Sequence, residues 1–391
     1  MYQLRDYQQQ ASDAAVAFFN NKKKTNNAII VLPTGAGKSL VIADIARRLS
    51  GCTLIFQPSK EILDQNFQKL CSYGVLDCDI FSASFGRKRI SRITFATIGS
   101  VKNCPDLFKH FENIIIDECH LVNPKEGMYK DFIKSLNSKV LGLTATPYRL
   151  HSSRDFGSML RFITRTRPCV FSEVIYHTQV STLLDMGYLA KLNYYSLSPT
   201  GWNERNLKIN TTGADYTDRS VLVEYERIDF YSYLVSVINR LLNNRVTGIQ
   251  RKGILVFTRF LKEAKMLQWN IPDVAIVSGD TPTAERKQIL DDFKSGKIKV
   301  VANVGVLTTG FDYPELDTVV MARPTMSLAM WYQIVGRIIR PHKNKECGWV
   351  VDLCGNIKRF GEVKDLRLED TGGGKWAVFS GTRQLTNVLM K

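Results

Sequence analysis

The sequence holds no apolar run approaching the roughly 18 residues of a membrane span, and its opening Met1-Tyr-Gln-Leu-Arg-Asp6 has no signal-peptide apolar region. Both absences argue against a membrane-spanning or secreted chain, and a cytoplasmic protein is expected. The eight cysteines, at 52, 71, 78, 104, 119, 169, 347 and 354, form no C-x-x-C pair. Neither a zinc ribbon nor a disulfide framework is indicated, so reduced thiols are expected. No heptad pattern and no short repeat is visible, which argues against coiled coils and solenoids. Nor does a basic tail account for the net charge of +16. Residues 1–150 carry 20 Lys and Arg against 13 Asp and Glu, and residues 251–391 carry 22 against 15. Two basic regions suit a polyanion lying across both, held by salt-dependent phosphate contacts.

What is present starts with length: 391 residues fit two or three domains. The most telling stretch is residues 27–45, where an apolar strand run breaks at Leu32-Pro-Thr-Gly-Ala-Gly-Lys-Ser39 and resumes as a helix. This is the outline of a phosphate-binding loop. Gly35 and Gly37 can take backbone angles closed to other residues, turning successive amides inward, and the following helix adds its positive end. Lys38 is expected to reach the β/γ-phosphates and Ser39 to ligate Mg2+. Leu32 stands where the usual G-x-x-x-x-G-K-[ST] has its first glycine. Pro33 and Thr34 supply the turn instead, and Ala36 and Leu40 complete the contact stretch.

Ahead of the loop, Leu4, Tyr7, Ala11, Ala14, Ala15 and Phe18 recur at helical spacing. Gln8, with Arg5, departs from that apolar face, and an amide can pair with the N6/N7 edge of adenine. Strand and helix signals then alternate, with continuously apolar strands as in a parallel sheet covered on both faces. Asn113-Ile-Ile-Ile-Asp-Glu-Cys-His120 ends one such strand in two carboxylates. Asp117 is expected to hold Mg2+ through water, and Glu118 to orient or deprotonate the water attacking the γ-phosphate. His120 reads as a coupling residue, since no second His or Cys stands at helix spacing to it. Thr144 and Thr146 end another apolar strand and are expected to relay between hydrolysis and a bound polymer.

Between His151 and Tyr216 the sequence is less informative. Glu173–Gly187 reads as an amphipathic helix, Lys191–Ser198 as holding a short strand, 203–218 as loop, and 220–244 as helical again. A second α/β series opens at Lys252-Gly-Ile-Leu-Val-Phe-Thr-Arg259 but has no G-K-S loop. It is not expected to bind nucleotide alone. Ser327–Arg340 reads as one helix with Gln333, Gly336, Arg337 and Arg340 on a single face, where two arginines form a fork for phosphate oxygens. Gly372-Gly-Gly374 is expected to be a hinge, with Trp376 and Phe379 packing on the lobe before them.

Taken together, the motifs resemble those of superfamily 2 helicases in a DECH variant of the DEAD/DEAH pattern. The resemblance rests on Arg5 and Gln8, 35–39, 58–61, 97–100, 117–120, 144–146, 257–259, 308–312 and 333–340. Residues 31–43, 117–120, 142–147, 279–282 and 306–312 look most like RadD-type bacterial DNA-repair helicases, although that family usually continues into a cysteine-bearing C-terminal region and no such region follows here. The resemblance implies two tandem RecA-like (P-loop NTPase) domains, each a parallel sheet flanked by helices. These are expected at 1–150 and 217–355, joined by a connector at 151–216 and followed by an extension at 356–391. It implies ATP and Mg2+ as cofactors, with Gly310 and Asp312 joining the nucleotide contacts. Arg337 and Arg340 are expected to stabilise the transferring phosphoryl group, Arg340 as the finger, with Gln333 positioning water or phosphate. Pro58, Ser59, Lys60, Thr97, Gly99, Thr258, Arg259, Gly279, Thr308 and Thr309 are expected along a nucleic-acid path, touching phosphates and sugars.

The expected protein is a monomer working on single-stranded or branched DNA in repair, recombination or replication, alone or with a recombination or repair partner. It would reside at the bacterial nucleoid, or in the host cytoplasm if phage-encoded. Two alternatives stay open, an RNA remodeller and a nucleic-acid-stimulated ATPase serving as an accessory module.

Overall fold

The computed structural model describes residues 3–23, 25–136, 138–153, 157–243, 251–307 and 312–389. The chain forms two compact units. The first gathers residues 1–151, 159–182 and 367–391, and the second 152–158 and 183–366. Among the described residues no helix is long and apolar enough to cross a membrane.

The first unit opens with α1 (Asp6–Asn20), which buries Tyr7, Ala11, Ala15, Phe18 and Phe19 on one face. Then come β1 (Ala28–Val31), α2 (Lys38–Arg48), β2 (Thr53–Phe56), α3 (Lys60–Cys71) and β3 (Cys78–Ser82). They are followed by β4 (Arg87–Lys88), β5 (Ile93–Ala96), α4 (Ile98–Val101), β6 (Asn113–Asp117), α5 (Met128–Ser135) and β7 (Lys139–Thr144). A ribbon of β8 (Tyr148–Ser153) and β9 (Gly157–Phe162) precedes β10 (Glu173–His177). The main sheet runs β10-β1-β7-β6-β2-β5-β3-β4. Its pairings are parallel except for β4, which lies antiparallel on β3. Strands β1, β2, β5 and β6 are buried along their whole length. Each Ile or Val so removed from water contributes about 1.5–3 kcal/mol, which is why these runs do not alternate with polar residues.

The order β1-β7-β6 gathers distant residues, because register sets Val31 beside Thr144 and Asp117 beside Leu143. The carboxyl ends of three strands far apart in sequence therefore share one rim. Residues 173–177, expected as the start of a helix, are instead the edge strand beside β1. Pairing along an existing strand satisfies their backbone, an option that local periodicity does not reveal. The helix is limited to α6 (Val180–Asp185).

The second unit contains β11 (Leu192–Ser196), α7 (Asp218–Arg227), α8 (Phe230–Leu242), β12 (Ile254–Thr258) and α9 (Leu261–Asn270). It continues with β13 (Val274–Val277), α10 (Thr283–Lys294), β14 (Val300–Val304), β15 (Thr318–Ala322), α11 (Leu328–Val335), β16 (Gly348–Asp352) and α12 (Asn356–Phe360). The sheet order is β11-β16-β15-β12-β14-β13, and every pairing is parallel. The stretch 151–216, expected as a connector, thus supplies an edge strand to each sheet.

The end of the chain forms a three-stranded sheet of β17 (Leu366–Asp370), β18 (Trp376–Ser380) and β19 (Arg383–Gln384). It belongs to the first unit rather than to the lobe that precedes it in sequence. Gln179 exchanges two hydrogen bonds with the Leu368 backbone (2.7 and 3.0 Å), and the Trp376 ring meets the His177 ring at 4.8 Å. Gly372-Gly-Gly374 is a fixed hairpin turn and not a hinge. All three glycines have positive φ, and the Asp370 carboxylate accepts from Gly372 N (2.9 Å) and Gly374 N (3.0 Å).

Candidate nucleotide site

The phosphate-loop stretch leaves β1 at Leu32, whose N–H donates to Thr144 O at 3.1 Å. Ala36 N closes a turn on Pro33 O (3.1 Å), so Pro33 and Thr34 do form the bend expected of them. Gly35 and Gly37 have φ of 82° and 78°, the left-handed region that favours glycine. Gly37 is the N-cap of α2 and brings no side-chain cap, and the first helical turn has no acidic residue. The amides that begin α2, starting with those of Lys38 and Ser39, are thus left for an anion.

Gln8 sits under this loop. It is 3% exposed, and its amide donates to Ala36 O at 2.8 Å while its carbonyl oxygen accepts from Arg5 N at 3.0 Å. Tyr7 also donates to Ala36 O (2.8 Å). A Cβ on Gly37 would lie 2.5 Å from Gln8 Nε2, so a side chain there would displace the glutamine. Leu40 lies beside the same Gly37 position.

Across the rim, Asp117 ends β6 and Glu118 takes φ 49°, ψ 48°. For a residue other than glycine this conformation costs about 1–3 kcal/mol and persists only when its surroundings enforce it. Here Glu118 N donates to Asp117 Oδ1 (2.9 Å), and the next residue, Cys119, folds over Gly142, where a Cβ would be 2.5 Å from its sulfur. The twist aims Glu118 at Lys38, whose ammonium is 3.4 Å from Oε1. Its other oxygen, Oε2, is buried without a hydrogen bond, and His120 Nδ1 lies 3.3 Å away.

The paired carboxyls diverge electrostatically. Burial, and then the neighbouring Glu118 charge, push Asp117 up to about 7, against the pull of Lys38. Burial pushes Glu118 up as well, but Lys38 and His120 together outweigh it and bring it down to about 2. An uncapped helix start beside two buried carboxyls and one lysine has donors for phosphate oxygens and acceptors for a divalent cation.

His120 lies deeper. Its Nδ1 is 2.9 Å from Thr144 Oγ1 and 3.1 Å from Thr146 Oγ1, with both threonines fully buried. Two residues that sequence reasoning passed over support Asp117. Asn66, on α3, donates to Gln57 Oε1 (3.0 Å) and reaches Asp117 Oδ2 at 3.5 Å. No spacing rule flags them, because they meet only when α3 packs on the sheet.

In the second unit, α11 ends at Val335, so Arg337 and Arg340 lie in the turn beyond it and not on one helical face with Gln333. Gly336 is the C-cap, with φ −60° and ψ −14°. Arg337 donates to Gln333 O (3.2 Å), and Arg340 forms an ion pair with Asp312. Thr308, Thr309 and Gly310 lie outside the described residues.

Among the expected nucleic-acid contacts of the first unit, Pro58 and Ser59 precede α3, and Ser59 caps it by accepting from Ile62 N (3.3 Å). Lys60 donates to Ser84 O (2.8 Å). Thr97 shares a hydroxyl cluster with Ser100 (2.9 Å) and Ser82 (3.4 Å), and Gly99 opens onto free space. Gly279, in the second unit, is exposed. Thr258 is fully buried, donating to Asn303 O (3.4 Å). Arg259 is enclosed by Asp215 (3.3 Å), Asp218 (2.8 Å) and Tyr216 O (2.5 Å). Both therefore have internal roles here in place of the strand contact expected of them, because a polar or charged side chain buried at a strand end takes the acceptors folded against it.

Comparison with known proteins agrees with this geometry. Residues 1–149 match the family described as "Type III restriction enzyme, res subunit", and residues 235–342 match "Helicase conserved C-terminal domain". The chain is 26% identical over 374 residues to the DNA 3'-5' translocase XPB2 of Sulfurisphaera tokodaii, covering 88% of this chain and 80% of that one. It is 24% identical over 348 residues to the ATP-dependent DNA helicase uvsW of Enterobacteria phage T4, covering 83% of this chain and 64% of the relative. Among solved structures it superposes on the ATP-dependent Type ISP restriction-modification enzyme LlaBIII bound to DNA with a TM-score of 0.66 at 20% identity, over 90% of this chain and 27% of that one. The phosphate-loop unit, the second parallel α/β unit and these relatives together make the chain an ATP-hydrolysing enzyme of helicase type, built on the two RecA-like domains seen in superfamily 2 helicases.

Proposed function

We propose that the protein is an ATP-driven translocase or helicase of RadD-type kind, acting on DNA, single-stranded or branched, in repair, recombination or replication. The observation that carries this reading is the chain of contacts Lys38–Glu118–His120–Thr144/Thr146. It runs from the phosphate loop to the segment after β7, so that a change at the phosphate end alters the packing of a second segment. The DNA class is supported by the relatives, one a DNA translocase and the other a DNA helicase by name, and by two basic regions on a chain of net charge +16.

In this reading Gln8 and Arg5 serve the adenine side, Gln8 through the loop it braces at Ala36 O, residues 33–40 cradle the phosphates, and Lys38 neutralises the β/γ oxygens. Ser39 and Asp117 would hold Mg2+, which when bound supplies positive charge to the transferring phosphoryl group. Glu118, held ionised by Lys38 and His120, takes the proton of the attacking water. Gln333, Arg337, Arg340 and Asp312 act on the phosphoryl group in this reading, with Arg340 stabilising the charge that builds there. The strand is tracked by its phosphates and sugars through Lys60, the Thr97 hydroxyl and the open approach at Gly99, which gives sequence-independent motion.

The test is ATP hydrolysis measured without polymer and with single-stranded DNA, duplex DNA, branched DNA and RNA, followed by strand displacement. DNA is expected to raise turnover, and branched substrates to be separated. Stimulation by RNA with none by DNA would overturn the reading. Strong DNA-stimulated turnover with no displacement in either direction would leave a translocase or accessory ATPase in its place.

A further inference from the structure

Lys345 has no part in the hydrolytic chemistry proposed for the protein, yet it is 8% exposed and its ammonium is fully engaged. It donates to the carbonyl oxygens of Pro314 (2.7 Å), Leu316 (3.1 Å) and Ile338 (3.1 Å). An ammonium has three N–H donors, so these acceptors saturate it. Burial pushes its pKa down to about 8, so charge is held where burial opposes it.

The three acceptors come from two segments, one just after Asp312 and one carrying Arg337 and Arg340. Pro314 and Leu316 lie two and four residues after Asp312. Ile338 stands between Arg337 and Arg340, in the turn that begins where α11 stops. Beyond Val335 single-turn bonds take over, Arg337 N on Ile334 O (3.0 Å) and Ile338 N on Val335 O (3.1 Å), and the carbonyls of a helix end need outside donors. The turn obtains them from two directions, with Lys345 on Ile338 O and Ala190 N on Ile339 O at 2.7 Å. Gly348 permits the close approach, since a Cβ there would lie 2.7 Å from Leu192 Cδ2 and 2.9 Å from Ile338 O. The ion pair of Arg340 with Asp312 then joins the same two segments a second time.

We propose that Lys345 is a positioning residue for ATP hydrolysis, clamping the turn that carries Arg340 onto the 314–316 segment so that the guanidinium is preset for the phosphoryl group. The inference rests on Arg340 stabilising that group, as proposed for its function. Lys345 touches neither substrate nor reacting atoms, and acts by removing the turn's freedom before the nucleotide arrives.

The experiment compares DNA-stimulated hydrolysis by wild type, Lys345→Met, Lys345→Arg, Arg340→Ala and the double variant Arg340→Ala/Lys345→Met, each held well below its own melting temperature. Lys345→Met is expected to lower kcat about 10²-fold, the scale of a 1 Å misplacement, with KM for ATP unchanged. Lys345→Arg keeps charge and donors and is expected to recover part of the loss. The double variant is expected to be no slower than Arg340→Ala, because both changes act through one group. Should Lys345→Met fail to fold, Gly348→Ala displaces the Ile338 carbonyl without altering charge and is expected to give the same kcat-only loss.

A fast Lys345→Met or Gly348→Ala beside a slow Arg340→Ala overturns the clamp alone. So does a double variant whose losses add. Arg340→Ala at the wild-type rate overturns the underlying reading instead.

Discussion

Helices α2 and α9 each follow a buried parallel strand, β1 and β12, yet their N-terminal ends are finished with opposite chemistry. Before α2 the chain spends six residues, 32–37, on a loop with two left-handed glycines, and no side chain caps the helix. Before α9 only Arg259 and Phe260 intervene, and Glu263 folds back so that its carboxylate accepts from Phe260 N (3.4 Å). Glu263 is fully buried. An acidic side chain thus stands at the helix end where a phosphate would have to bind, and the adjoining Arg259 is enclosed by Asp215 and Asp218. Two sheets of one architecture therefore differ in whether the positive end of the helix after the compared strand is left for a ligand or satisfied from within.

The comparison fails most visibly if the open helix end does not hold nucleotide. Lys38→Ala is expected to abolish ATP hydrolysis, measured as phosphate release at saturating DNA, and normal turnover would remove the phosphate-loop assignment. Arg340→Ala is expected to slow kcat by about 10³-fold, the scale of arginine fingers elsewhere, while ATP affinity by equilibrium titration stays near wild type. A variant that binds ATP poorly but turns over normally when saturated would take Arg340 out of that role.

A smaller effect is expected from Gly37→Ala, which forces a Cβ into Gln8 Nε2 at a φ of 78°. Nucleotide affinity is expected to fall, and stability to drop by about 1 kcal/mol or more; unaltered binding would mean that the Gln8 contact does not shape the loop.

The closed end of α9 can be tested by pH. Burial raises Glu263 to about 7, above its ordinary 4.5. The fold therefore favours the protonated acid, with no penalty below pH 4.5, and stability is lost as pH rises through 7. Glu263→Gln is expected to remove that dependence and to be the more stable protein at pH 8, by an amount of order 1–3 kcal/mol. Calorimetric melting at pH 5, 6, 7 and 8 reads it, and parallel curves for the two proteins would show that Glu263 is not held protonated.

The local geometry around the candidate site of the first unit was legible because its residues lie close together in sequence. Gly35, Gly37, Lys38 and Ser39 are consecutive or nearly so, as are Asp117, Glu118 and His120, and the spacing of each group already dictates a turn or a strand end. The arginine stripe was legible in composition but not in geometry, since nothing in Ser327–Arg340 announces that the helix stops at Val335. The edge strand β10 was read as a helix because an edge strand takes its hydrogen bonds from a distant partner and has little pattern of its own, and the strand expected in 191–198, β11, gave no sign of the sheet edge it would join. The glycines at 372–374 show the same limit. Three in a row suggest freedom, and the carboxylate of Asp370 removes it.

By itself the sequence singled out which groups are candidates to hold phosphate, metal and water, because such capacities belong to side-chain chemistry and to short-range backbone geometry. Only the tertiary structure decided which of them meet. Strand order brings β1, β7 and β6 side by side, so that Lys38 reaches Glu118 and His120 reaches both threonines. The same packing encloses Arg259 and sets Lys345 under the arginine turn. Contacts across tens to hundreds of residues are fixed by parallel pairing and by the burial of apolar strands, and neither leaves a mark at the positions it brings together.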